Sequence, residues 1–306
     1  MTQLISNRSA SRSAEFAIRL SLIWGFAIPA MLSSCEKPQF PDDLSNADAV
    51  LQCQVLSTTR TDSVKTPNCK QYFSKLALQV FDAEGYKVYD KVKTQTSDDD
   101  AFGQLGLSLS EGIYRVVAVG HSSKVSPSIK SLQMVQFTSS DGEKLTDTFS
   151  YCDTITIGDK PIRRDAVMTR RVAMFRLRMT DADIPSTVAS VKFDYKGGSA
   201  NFNPSTGQGC TKSTQTETRA VSKDGVYEIY TFPYLSDEGV LQITATALSA
   251  DGSTIRSRTF SDVPITRDRI TTYRGTFFQD GDGEITQTTF GFYVDGEWKG
   301  EDVYEF

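Results

Sequence analysis

The chain has a single histidine, His121, in 306 residues, and only two tryptophans. With one imidazole, any Ser-His-Asp arrangement would have to use His121, and no Gly-x-Ser-x-Gly elbow accompanies it. Its place just after an apolar run, Ile113 to Gly120, reads as a loop tip. There is no His-Glu-x-x-His, no phosphate-binding loop, and no Gly-x-Gly-x-x-Gly behind a strand. No Lys/Arg-rich face is present and the formal net charge is −5, so nucleic acid is not an expected partner. Five cysteines include no Cys-x-x-Cys pair, which leaves zinc-ribbon and thioredoxin chemistry without support. Sustained helical periodicity is missing after the first thirty-odd residues. These absences argue against an enzyme, and no metal or cofactor is expected.

What is present begins with an export signal. Arg8, Arg12 and Arg19 precede an apolar run, Leu20 to Leu32, broken by Gly25 and Pro29. The run is short for a membrane span, which needs about 20 apolar residues, and its layout is that of a secretory leader. It ends in Leu32-Ser33-Ser34-Cys35, which resembles the bacterial lipobox. That resemblance implies cleavage before Cys35 and acylation of its thiol. Several acyl chains anchor stably where one would not. The competing readings are an ordinary signal peptide with a chance cysteine and an uncleaved anchor helix. The expected organisation is residues 1–34 as leader and 35–48 as a solvated, Pro- and Asp-bearing tether. Two β-sandwich domains then follow, at 49–160 and 161–306, divided at the polar stretch Gly158 to Arg164.

Period-two patterning predicts the strands. Ala49 to Leu56 is a short apolar first strand. Tyr72 to Phe81 turns at Asp82-Ala83-Glu84-Gly85 into a partner strand, Tyr86 to Val92. Gly103 to Leu109 alternates Leu105, Leu107 and Leu109, and the β-branched run Ile113 to Val119 suits a central strand. Lys124 to Phe137 is less regular, and Thr146 to Ile157 returns to strand character. In Val172 to Met179, Ala173, Phe175, Leu177 and Met179 share one face and Arg176 and Arg178 the other. Further strands are Val188 to Tyr195, Val226 to Phe232, Leu241 to Ala247, Thr254 to Phe260 after the Asp251-Gly252 turn, Arg269 to Phe278 and Thr288 to Val294. Trp298 and Phe306 stand out as a late apolar pair. Recurring short strands with Gly, Asn and Asp turns predict an all-β, sandwich-type fold.

Few residues suggest binding chemistry. Cys53 and Cys69 are the nearest thiols of the exported chain and a candidate disulfide. Asp98-Asp99-Asp100 and Asp280-Gly281-Asp282-Gly283-Glu284 could offer oxygen ligands, but the second run does not complete a calcium loop. Solvated turns account for both. Tyr293 and Trp298 are candidates for stacking on sugar rings, against the plainer reading of packing residues.

The order of several segments resembles that of the Bacteroidales fimbrillins and their anchor lipoproteins. Leu76-Ala77-Leu78-Gln79-Val80-Phe81-Asp82-Ala83-Glu84-Gly85 is similar to the strand that opens their first domain. Leu109-Ser110-Glu111-Gly112-Ile113-Tyr114-Arg115-Val116 resembles their Leu-x-x-Gly-x-Tyr strand. Arg170-Arg171-Val172-Ala173-Met174-Phe175 resembles the entry to their second domain. Val263-Pro264-Ile265 followed by Thr271-Thr272-Tyr273-Arg274-Gly275 resembles their penultimate strand. The resemblance implies two tandem transthyretin-like, Greek-key sandwiches. It also implies an outer-membrane, lipid-anchored pilus subunit or fimbrial anchor, whose partners are other fimbrial subunits and a host or bacterial surface receptor. Polymerising members lose a first strand to an Arg-directed protease and accept a neighbour's strand instead. The matching positions are Ala49 to Leu56 as that strand and Arg60 as the processing point. A glycan-binding lipoprotein of a nutrient-uptake system is the alternative.

Overall fold

Alternating side chains make strands here because one face of each finds apolar partners and the other finds water or a second apolar layer. The computed structural model describes residues 38–41, 43–55, 69–138, 145–279, 286–290 and 298–306. Cys35, Arg60, Tyr293 and the run Asp280 to Glu284 lie outside them. Twenty strands are present among the described residues. The first ten are β1 (Ala49–Gln54), β2 (Lys75–Phe81), β3 (Lys93–Thr96), β4 (Gln104–Leu107), β5 (Gly112–His121), β6 (Ser128–Ser131), β7 (Met134–Gln136), β8 (Phe149–Ile157), β9 (Ile162–Val167) and β10 (Thr169–Arg170). The second ten are β11 (Ala173–Met179), β12 (Ser190–Lys196), β13 (Asn201–Phe202), β14 (Thr214–Ala220), β15 (Val226–Thr231), β16 (Glu238–Leu248), β17 (Thr254–Thr266), β18 (Ile270–Gly275), β19 (Thr286–Phe290) and β20 (Glu301–Glu305). The fold is all-β. No helix among the described residues is long and apolar enough to cross a membrane.

Two sandwiches carry the bulk of the core. In the first, a three-stranded sheet β4-β1-β9 faces a five-stranded sheet β10-β8-β5-β2-β3. Leu51, Cys53 and Leu105 from one side meet Leu78, Val80, Val116 and Phe149 from the other. In the second, β15-β11-β18-β20-β19 faces β14-β12-β16-β17, with Phe175, Leu177 and Tyr273 packed against Phe193, Ile243 and Phe260. β17 runs through Pro264 without difficulty, because it is an edge strand and needs no donor on its free side.

A third core joins the two. β2 and β5 are apolar on both faces, and their outer residues Ala77, Phe81, Val117 and Val119 lie under a small sheet, β13-β7-β6. β13 comes from the C-terminal half: Phe202 pairs with Val135 and its ring stacks on Phe232 at 4.7 Å. Arg170 sits at the same seam. Its guanidinium pairs with Asp147 and Asp268, each at 2.8 Å, and lies 4.0 Å from the Trp298 ring and 4.7 Å from Phe149. Residues 37–306 accordingly form one compact unit.

Several expectations change. The polar stretch after Gly158 is no boundary, because β9 pairs with β1 in parallel and β10 with β8, so the passage between the sandwiches falls at Arg170 to Ala173. The stretch ahead of β1 is packed rather than solvated: Phe40 stacks on Tyr89 at 3.8 Å, and Asp43 caps a turn at Leu44–Asn46. The turn at Asp82 to Gly85 forms, with Gly85 at φ 89, and the expected hairpin begins, Lys87 bridging Phe81 and the Val88 amide donating to the Val80 carbonyl. The pairing stops there, and the rest of that edge of β2, Lys75 to Leu78, pairs with β3. Tyr89 leaves the ladder to enter the core and donates its hydroxyl to the Ser108 carbonyl. Trp298 and Phe306 go to different cores, Phe306 lying 5.0 Å from Phe260.

Candidate assembly site

The first strand is the middle strand of its sheet. β1 pairs antiparallel with β4, from Ala49 opposite Leu107 to Gln52 opposite Gln104. On its other side it pairs in parallel with β9, from Ala49 opposite Ile162 to Gln54 opposite Val167. β4 and β9 are connected in this sheet only through it. Without β1, two unpaired strand edges would flank a slot floored by Leu76, Leu78 and Val80.

Its side chains alternate small and large. Ala49, Leu51 and Cys53 point into the core and are fully buried. Val50 lies on the opposite face, beside Gly106 of β4. A Cβ at Gly106 would lie 2.8 Å from Leu44 Cδ2 and 3.1 Å from Pro41 Cγ, so the preceding segment crosses close over this glycine and a larger residue would push those side chains aside. Burying Leu51 alone is worth about 2 kcal/mol. The strand is fastened at both ends. The Asp48 amide donates to the Leu107 carbonyl at 2.9 Å, and its carboxylate accepts from the Leu109 amide at 2.8 Å. At the far end the Cys53 amide donates to Gly103 and the Met168 amide to Gln54.

Cys53 and Cys69 share this core as two free thiols, without a disulfide between them. Burial pushes both thiols up, that of Cys53 the further, which keeps them protonated and poor nucleophiles. Cys152 and Cys210 are free and half-buried.

His121 is not at a loop tip. It ends β5 opposite Lys75, is buried, and meets Phe137 edge-on at 5.6 Å. Its Nδ1 has no hydrogen-bond partner among the described residues. Burial, helped by the Lys75 charge, lowers its pKa to about 4. Such an imidazole stays neutral and faces apolar groups, away from solvent. Asp98 to Asp100 form a turn in which the Asp99 carboxylate accepts from the Thr96 amide at 2.7 Å. No cluster of three or more metal-ligating side chains exists among the described residues. Trp298 is partly buried, with Arg170 over its ring and Tyr230 6.3 Å away, which makes it a packing residue of the seam.

Sequence patterning missed β14. Its inward residues Gln215 and Glu217 are polar yet buried, so alternation of apolar residues gives no signal. Glu217 accepts from the Tyr195 hydroxyl and pairs with Arg219, each at 2.5 Å. Burial, reinforced by the neighbouring Glu217, holds the Tyr195 phenol well above its ordinary pKa.

No curated protein matches the chain. Among solved structures it is similar to a candidate adhesin from Bacteroides ovatus, at 14% identity and TM-score 0.46, covering 73% of this chain and 86% of that one. It is similar to a fimbrial assembly protein from Parabacteroides distasonis, at 11% identity and TM-score 0.39, covering 74% and 89%. It is also similar to the fimbrial anchor protein Mfa2 from Porphyromonas gingivalis, at 10% identity and TM-score 0.38, covering 69% and 80%. The sequence model of the family of unknown function DUF6562 matches residues 46–305, and the chain belongs to that family.

Proposed function

We propose that the chain is a lipid-anchored fimbrial subunit or fimbrial anchor that joins its neighbours by strand complementation and supports adhesion. The observation that carries this reading is the place of β1. It is short, comes first, and lies between two strands that meet only through it. A neighbour's strand with small, large and small residues at alternate inward positions would meet the same backbone partners and the same apolar floor. Cys35 is the acylated residue in this reading, and Arg60 the point at which a polymerising subunit would be cut. An anchor would keep its lipid and seat the base of the fibre. The chemistry is binding and assembly, with no catalytic step.

Membrane fractionation with Cys35→Ser tests the anchor. The wild-type chain is expected in the outer-membrane fraction and in SDS-resistant ladders with other subunits. The variant is expected in the soluble fraction. A variant that stayed in the membrane would sink the lipid anchor, and a wild-type chain that never entered ladders would sink the assembly role.

A further inference from the structure

At one end of the second sandwich, Lys196, Lys212, Ser213, Thr214, Gln242 and Asp262 line a cavity of ≈ 630 Å³. Thr214, Lys196 and Gln242 form one row across β14, β12 and β16. β17 completes the row through a bulge. Leu241 pairs with Val263 and Ile243 with Phe260, so Gln242 faces both Ser261 and Asp262. Asp262 holds φ 53, one of only three positive-φ non-glycine residues among those described. Bulges and strained residues of this kind re-aim side chains at functional sites. Gly197 has φ 115, and a Cβ there would collide with the Val240 carbonyl oxygen, so the corner is drawn tight against β16.

The lining is chemically unfinished. Neither Lys196 nor Lys212 has an ion-pair partner among the described residues. The Ser213 hydroxyl is buried and has no hydrogen-bond partner among the described residues. Val240, 52% exposed, gives one apolar wall, and Lys212 reaches to 5.9 Å from the Tyr234 ring. Two unpaired ammonium groups call for an anion. Hydroxyls, an amide and one carboxylate suit a ligand rich in hydroxyl groups, and an apolar wall suits the C–H face of a sugar ring. We propose that this cavity binds an acidic saccharide, a short glycan bearing a carboxylate or a sulfate. Lys196 and Lys212 hold the acid, Ser213 and Gln242 bond ring hydroxyls, and Asp262 accepts from one of them.

The proposal rests on the reading of the chain as a surface adhesin. Binding is measured on the isolated chain, so its failure leaves fibre assembly standing. The full chain in detergent is titrated calorimetrically with sialyllactose, sulfated lactose, lactose and inorganic sulfate. At least one acidic saccharide is expected to bind, more weakly as salt is raised. The double variant Lys196→Gln, Lys212→Gln should lose about tenfold or more in affinity with an unchanged melting temperature, because both side chains are exposed. Binding of neutral lactose, or of sulfate alone, as tightly as the acidic sugars would overturn the assignment. So would an unaltered affinity in the double variant, or no binding at all.

Discussion

Replacing Arg170 by alanine lowers the unfolding free energy by about 3–5 kcal/mol, the range for stripping one partner from a buried ion pair. The Arg170 side chain is 4% exposed, and its charge-assisted hydrogen bonds include two to Asp147 and one to Asp268. Burial pulls its pKa down, but the two carboxylates outweigh burial and hold it above the ordinary value. Asp147 sits the other way. Burial raises its pKa even with the guanidinium beside it, so alanine at 170 leaves a carboxylate that must take up a proton or expose itself. The loss should therefore shrink as pH falls. Because Asp147 and Arg170 belong to the first half while Asp268 and Trp298 belong to the second, the damage should concentrate at the seam. Urea unfolding of Arg170→Ala at neutral and mildly acid pH checks this. A loss under about 1 kcal/mol, the level of an exposed pair, would show that the seam is held by its apolar residues alone.

Acidification removes stability through His121. Its folded pKa, about 4, lies below the ordinary 6.5, so the native state resists a proton that the unfolded chain accepts. The stabilisation is complete above pH 6.5 and is lost as pH falls from 6.5 toward 4. At roughly 1.4 kcal/mol per pH unit of separation, the full loss is about 3 kcal/mol. The acids whose pKa is lowered, Asp43, Asp194, Asp224 and Asp251, titrate below 3.8 and act outside this window. Equilibrium unfolding of wild type and His121→Gln across pH 7.5 to 4.5 isolates the effect. The variant's stability should vary less with pH. Parallel curves would mean that the imidazole opens to solvent before it titrates.

Much of this architecture is legible in the residues because one face of most strands is strictly apolar. Ala173, Phe175, Leu177 and Met179 are buried in the alternation that the sequence shows. The run from Ile113 is central because β-branched residues on both faces can only be satisfied between two layers. The misses have physical causes. β14 hides its strand character behind Glu217 and Gln215, whose burial depends on the Tyr195 hydroxyl arriving from β12, while Arg219 of the same strand pairs with Glu217. β9 reads as a linker because Arg163, Arg164 and Asp165 are exposed on a sheet edge, and its parallel pairing with β1 spans more than a hundred residues of chain. Arg170 stands in the segment that resembles a second-domain entry, but its partners Asp147, Asp268 and Trp298 have no local signature, and neither has the acidic-saccharide cavity, since both are assembled from strands far apart in sequence.

The fate of β1 in the mature fibre is the point on which the assembly reading stands. Mass spectrometry of the N-terminus of the chain recovered from assembled material reads it directly. An acylated Cys35 with β1 still attached identifies a fibre anchor, and a new terminus at Thr61 identifies a subunit that has given up its first strand to a neighbour. A chain that began at any other residue, carrying neither lipid nor a cut after Arg60, would contradict the account.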